Sequence, residues 1–165
     1  MDIIIRKMET DDEIKGKAYV HWKSWHESYS GIVDPAYLKK LTLEQCEQIA
    51  YQWPENILVA KDRIQVVGFL GCGENRELAE CGEIFALYVL PEYQNKGIGS
   101  RLMQSGMEKL KKYPERCLWV LEDNQNAIRF YKKFGFSPDG AKRQITALSA
   151  AAIRLRWDHT VSAEG

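Results

Sequence analysis

Residues 89–103, VLPEYQNKGIGSRLM, set a Gly-x-Gly between an apolar run and a helical pattern. Glycine lets a backbone come close to a bound group. The amides from Lys96 to Ser100 are free donors at the positive end of the helix that follows. With Lys96 and Arg101 beside them they make an anion site suited to a pyrophosphate. Two common phosphate loops do not fit. A Walker loop needs its lysine after the second glycine, and here Lys96 precedes Gly97. A dinucleotide fingerprint needs a third glycine where Leu102 stands, and a tight turn where six residues separate Leu90 from Gly97. Only 43 residues follow Glu122, too few for a second nucleotide-binding half. Glycines that merely turn the chain into a helix explain the turn but not the surrounding amides and cations.

Further residues carry titratable chemistry. Tyr131 lies seven residues after Asn124, two helical turns on, so the two face one side. Glu83 borders the apolar run 84–90, a setting that raises a carboxyl pKa. Trp22, Trp25, His26 and Tyr29 crowd one early segment. Aromatic residues at helical spacing are more often core than site, although an aromatic wall also attracts cations.

The elements that must position these groups can be read from periodicity. Ile3-Ile4-Ile5 predicts a first strand. Thr10-Asp11-Asp12-Glu13 predicts a helix start, and Ile14, Ala18, Trp22 and Trp25 share one face of that helix. Residues 30–35 break it, and helical spacing resumes from Pro35 to Ala50. Residues 57–60 and 65–72 predict an antiparallel hairpin around a polar turn at Lys61-Asp62-Arg63, followed by a polar loop over 73–80. The run 84–90 is apolar on both alternating faces, which predicts a central strand with helices above and below. A helix from Ile98 toward Tyr113 and a strand at 117–121 complete a right-handed βαβ unit with parallel strands. Asn124 to Phe134 predicts a last helix, stopped by Gly135. Phe136 and residues 153–157 close the sheet, with 147–152 readable as helix or strand.

Composition limits the partners. A chain of 165 residues suits one domain. Lys+Arg and Asp+Glu balance at 23 each, so net charge suggests neither nucleic acid nor an anionic membrane. The four cysteines and three histidines show no metal-ligand spacing, so no metal is expected. No apolar stretch approaches the ~20 residues of a membrane span. The N-terminus MDIIIRKMETDDE is acidic where a signal peptide would be apolar, and a cytoplasmic protein is expected.

The segment Gln94-Asn95-Lys96-Gly97-Ile98-Gly99 resembles the pyrophosphate loop of the GNAT superfamily, the acetyl-CoA-dependent N-acetyltransferases. EIFALYVLPEYQ, LWVLEDNQNAIRFYKKFGF and HWKSWHESYSGIVDPAYL are similar to that family's cofactor-binding strands, later helix, and first helix and loop. The resemblance implies a single-domain α/β (α+β) fold over residues 1–158, with a frayed tail at 159–165. Its sheet is mixed and mostly antiparallel, of six to seven strands, with helices on both faces and a central parallel βαβ unit that binds CoA. The likeness is weakest after Gly140, where GAKRQITALSAAAIRLRW lacks the glycine turn that relatives carry between the last two strands.

Roles follow from the resemblance. The amides of Gln94, Asn95, Lys96, Gly97, Ile98, Gly99 and Ser100 hold the pyrophosphate. An unpaired amide among Leu87, Tyr88 and Val89 polarises the thioester. Asn124, Ala127 and Tyr131 line the pantetheine arm. Tyr131 protonates the leaving thiolate, and Glu83 serves as general base, acting through water. Trp22, Trp25, His26 and Tyr29 wall the acceptor, a small-molecule or peptide amine. The resemblance also permits a homodimer. The alternative reading is a non-catalytic acyl-CoA-binding module, which would need neither Tyr131 nor Glu83.

Overall fold

The computed structural model describes residues 1–160, so the tail expected at 159–165 lies mostly outside the described residues. Seven strands form one sheet: β1 (Ile3–Lys7), β2 (Ile57–Asp62), β3 (Gln65–Glu74), β4 (Cys81–Val89), β5 (Glu115–Leu121), β6 (Phe136–Ile145) and β7 (Ala150–Trp157). Their spatial order is β1-β2-β3-β4-β5-β7-β6, and every neighbouring pair is antiparallel except β4 and β5. The helices are α1 (Asp11–Ser28), α2 (Pro35–Lys40), α3 (Leu43–Gln52), α4 (Ile98–Lys109) and α5 (Gln125–Lys132). Adjacent strand residues point to opposite faces. Phe69 meets His21 of α1 while Leu70 lies under Gly106 of α4, so α1 and α4 cover opposite faces of β3. No helix among the described residues is long and apolar enough to cross a membrane.

Local chemistry explains the helix boundaries. Thr10 Oγ1 accepts from the Glu13 amide at 3.1 Å, and Glu13 Oε1 accepts from the amides of Thr10 and Glu9 at 3.0 and 2.9 Å. Glu13 is only 1% exposed, and its second oxygen meets Lys61 Nζ at 3.0 Å and Arg6 Nε at 3.2 Å. One capping residue therefore also ties α1 to β1 and β2. Burial pushes this carboxyl up, but the Thr10 and Glu9 amides and the Lys61 ammonium outweigh it and hold it at about 2. A depressed pKa stabilises the fold above the ordinary carboxylate value, and that contribution fades as pH falls toward about 2. Glu13→Ala should lower stability by about 3 kcal/mol at pH 7. Urea unfolding at pH 7 and pH 3 should show the gap between wild type and variant narrowing at the lower pH.

Two sequence expectations need correction, and one open reading is resolved. The helical stretch read from Pro35 to Ala50 is two helices, because Leu41 is extended and Thr42 starts α3 with its own capping box to Gln45. The ambiguous residues 147–152 divide between a 3₁₀ turn at Thr146–Leu148 and the start of β7, and Ser149 takes the left-handed conformation (φ 50°) that a glycine fills elsewhere. The two-sided cover expected over 84–90 has one opening: Phe85 is 52% exposed. The register passes from Gly71 opposite Ala86 to Cys72 opposite Ile84, so Phe85 is the extra residue of a β-bulge.

Candidate active site

The parallel ladder between β4 and β5 stops early. Its four pairs run from Cys81–Glu115 to Ile84–Leu118, and beyond them the strands separate. A cleft of about 770 Å³ opens there, at the carboxyl ends of the parallel strands, where open α/β sheets place ligands. Its walls are residues 84–89 of β4, 119–121 of β5, Asn124, Ala127 and Tyr131 at α5, the end of α1 with Trp25 and Tyr29, and Ile145 and Leu148 beside the β6–β7 turn.

The backbone of β4 supplies donors to this cleft. The Leu90 amide donates to the Val67 carbonyl at 2.8 Å, which sets the phase of the antiparallel alternation on β3. The amides of Leu87 and Val89 therefore face away from β3, into the gap. The Val89 carbonyl faces the same way and accepts from Gln94 Nε2 at 3.1 Å.

Next to the gap lies the glycine turn. The Gln94 amide donates to the Pro91 carbonyl at 3.2 Å, so the run of free amides starts one residue later, at Asn95. From there to Ser100 no amide has a backbone or side-chain acceptor among the described residues, and Arg101 is the first to rejoin the helix, donating to Gly97. Asn95 and Gly97 have φ of 61° and 80°, and a Cβ built on Gly97 would meet nothing within 4 Å. Gly97 is thus required by its backbone conformation, and its outer face opens toward whatever the amides bind. Lys96 lies over the Tyr93 ring at 5.6 Å, and Tyr93 is anchored through its hydroxyl to Asp62 at 2.9 Å. Six free amides at the start of a 12-residue helix, with a lysine beside them, fit a pyrophosphate.

Three tyrosines meet in the cleft. Tyr29 and Tyr88 share a hydrogen bond of 3.1 Å between their hydroxyls. Tyr131 is 9% exposed, and burial, with the nearby Tyr29, pushes its phenol well above the ordinary value. Burial likewise raises Tyr29, with hydrogen bonds from Tyr88 and Asn124 working the other way. Asn124 caps α5 by accepting from the Ala127 amide at 3.3 Å. That cap fixes the helix that presents both Ala127 and Tyr131 to the cleft.

The remaining sequence candidates divide. Trp25 and Tyr29 line the cleft; Trp22 and His26 do not. Trp22 packs with Ala18, Leu41, Cys46 and Ala50, and His26 Nε2 lies 2.8 Å from the Leu41 carbonyl, so both hold α1 against α2 and α3. They lie on the helix face turned toward α2 and α3 and away from β4. Glu83 sits on the still-paired part of β4, opposite Cys117, and is not among the cleft residues. Its carboxylate accepts from Asn75 Nδ2 at 2.8 Å, and burial raises its pKa while that hydrogen bond opposes the rise. Residues without a sequence signal also line the cleft, among them Ser24, Trp119 and Arg143, whose guanidinium lies 4.1 Å over the Trp119 ring. Trp119 sat on a predicted strand, but Arg143 reaches it only through the β6–β7 pairing.

Residues 19–136 match the family model described as the acetyltransferase (GNAT) family. The chain is 32% identical to an uncharacterized N-acetyltransferase, YuaI, of Bacillus subtilis, over 94% of this chain and 92% of that one. It is 30% identical to the spermidine N(1)-acetyltransferase of Thermoplasma acidophilum, over 82% and 89%. The crystal structure of the PaiA N-acetyltransferase of Thermoplasma acidophilum in complex with coenzyme A superposes with a TM-score of 0.73 at 25% identity, covering 95% of this chain and 100% of that one.

Proposed function

This chain belongs to the acetyltransferase (GNAT) family, and on that premise we propose that it moves the acetyl group of acetyl-CoA to a primary amine of a small molecule or peptide by direct attack in a ternary complex. One observation carries the reading: the gap between β4 and β5 brings two unpaired strand amides and Tyr131 to one cleft, beside the turn with its six unpaired amides. The amides of Asn95 to Ser100 bind the pyrophosphate, and Asn124 and Ala127 border the pantetheine arm. The thioester carbonyl lies against the Leu87 and Val89 amides, which stabilise negative charge as it develops on the oxygen. The amine nitrogen bonds to the acetyl carbon, the carbon–sulfur bond breaks, and Tyr131 gives its proton to the departing thiolate. A phenol suits that task because it stays protonated at neutral pH, whereas a thiol ionises near ~8.5.

The name of the spermidine-acetylating relative supports a cationic amine as acceptor. The charged residues bordering the cleft are Glu27, paired with Lys23 at 2.8 Å, Asp123 and Arg143. Free-thiol release from acetyl-CoA against polyamines, aminoglycosides, amino acids and N-terminal peptides tests the proposal. Release with at least one amine is expected. Tight acetyl-CoA binding with no release at any pH would replace the reading by that of a binding module.

A further inference from the structure

On its buried side α1 carries a polar stripe, Lys17, His21 and Ser24, spaced by four and three residues. Ser24 is 2% exposed and lines the cleft, yet its Oγ has no hydrogen-bond partner. The His21 ring stacks on Tyr88, with centroids 6.4 Å apart and planes 17° from parallel, and it meets Phe69 edge-on. Its Nδ1 is enclosed and also lacks a partner, while Nε2 is not enclosed in this way. Leaving a buried polar atom unpaired costs roughly 1–3 kcal/mol, so two on one helix face call for an explanation. Side chains three apart on a helix have Cβ atoms roughly 5–6 Å apart, a spacing that one water can bridge.

We propose that Ser24 and His21 form the proton exit for the acceptor amine. This inference rests on the acetyl-transfer reading given above. On the order of one alkyl amine in a thousand is unprotonated at neutral pH, so the transfer needs a place to send a proton. Before attack the ammonium passes one proton to Ser24 Oγ, directly or through water, which frees the nitrogen lone pair. The serine proton passes by the bridging water to His21 Nδ1, and Nε2 releases its own proton outward. As the nitrogen then bonds to the acetyl carbon and the carbon–sulfur bond breaks, Tyr131 protonates the thiolate and the second amine proton restores the phenol, so each turnover delivers one proton to solvent.

The surroundings of His21 suit a relay. Burial, then the Lys17 charge, push the imidazole down to about 4, which keeps the ring neutral with one nitrogen ready to accept; the relay uses the tautomer with the proton on Nε2. Lys17 itself lies 4.9 Å over the Phe69 ring. The other titratable groups facing this stripe are the Tyr88 phenol on β4, raised by burial, and the Cys46 thiol on α3, which burial pushes up to about 11. Both are neutral at physiological pH, and from β3 the apolar Phe69 meets His21. No neighbouring anion therefore traps the proton on His21.

The test compares pH–rate profiles of wild type, Ser24→Ala, His21→Phe and Glu83→Gln with an amine found in the thiol-release assay. His21→Phe keeps a ring against Tyr88, and Ser24→Ala removes one oxygen, so the pair does not depend on either variant alone folding well. Both should lose roughly 10-fold or more in kcat/KM for the amine at pH 7. The loss should narrow as pH approaches the amine's own pKa, with acetyl-CoA affinity unchanged. An imidazole NMR titration should place His21 well below an ordinary histidine. Losses of equal factor at every pH, or an ordinary His21 titration, would overturn the proton exit while leaving acetyl transfer intact. A pH-dependent loss in Glu83→Gln with none in Ser24→Ala would assign the proton to Glu83 instead. Wild-type protein that acetylates no amine would remove the acetyl-transfer reading and this inference together.

Discussion

Tyr131→Phe should bind acetyl-CoA as tightly as wild type and turn it over about 100-fold more slowly, the usual scale for losing a positioned acid. Among the described residues the Tyr131 hydroxyl makes no hydrogen bond to protein, so its removal strands no partner. The ring, which packs edge-on against Phe130 and Phe136, stays in place. The substitution therefore isolates proton donation from packing. Calorimetric binding of CoA beside steady-state thiol release separates the two quantities. Full turnover in the variant would remove the acid role from Tyr131, and a matched loss of affinity would make it a wall of the cleft.

The second large effect belongs to the turn. Gly97→Val should weaken acetyl-CoA binding roughly 100-fold, because left-handed backbone is strained for a β-branched residue and relaxing it misaligns several amides at once. No atom lies within 4 Å of the position a Cβ would take, so the loss would not come from a steric clash inside the protein. Gly99→Ala is the control. Gly99 is not in the left-handed region, and its Cβ would lie 3.7 Å from the Phe130 ring, an ordinary contact. If both variants bind acetyl-CoA normally, the amides of this turn do not hold the pyrophosphate.

The contrast between Gly97 and Gly99 shows what was legible in the sequence. Short-range signals were: the helix start at Thr10-Asp11-Asp12-Glu13, the apolar run of β4, the glycine turn, and Asn124 as the cap of α5 all act within four to seven residues. The Thr42–Gln45 box was equally local, but the apolar spacing of Leu38, Leu41, Cys46 and Ile49 runs straight across it. Pairings between distant segments were not legible. Nothing near Arg143 announces that β7 will insert between β5 and β6 and carry that side chain over Trp119. Helical spacing put Trp22, Trp25, His26 and Tyr29 close together, yet only packing against α3 and β4 decided which pair faces the cleft. His21 was missed because its distinction is an unfilled hydrogen bond, and no residue type encodes an absence.

The bulge at Phe85 bears on which mutations the cofactor cleft can survive. Its donors are backbone amides, so most side-chain replacements along β4 leave them where they are. Deletion of residue 85 would remove the extra residue and leave Ile84 opposite Cys72 and Ala86 opposite Gly71 as successive pairs, so both halves of β4 would keep their register with β3. Glu83 and Ile84 would then keep their places opposite Cys117 and Leu118 on β5. Leu87 and Val89 would likewise keep their amides turned toward the gap. Natural variation between Cys81 and Leu90 should accordingly include segments one residue shorter, with the bulge absent.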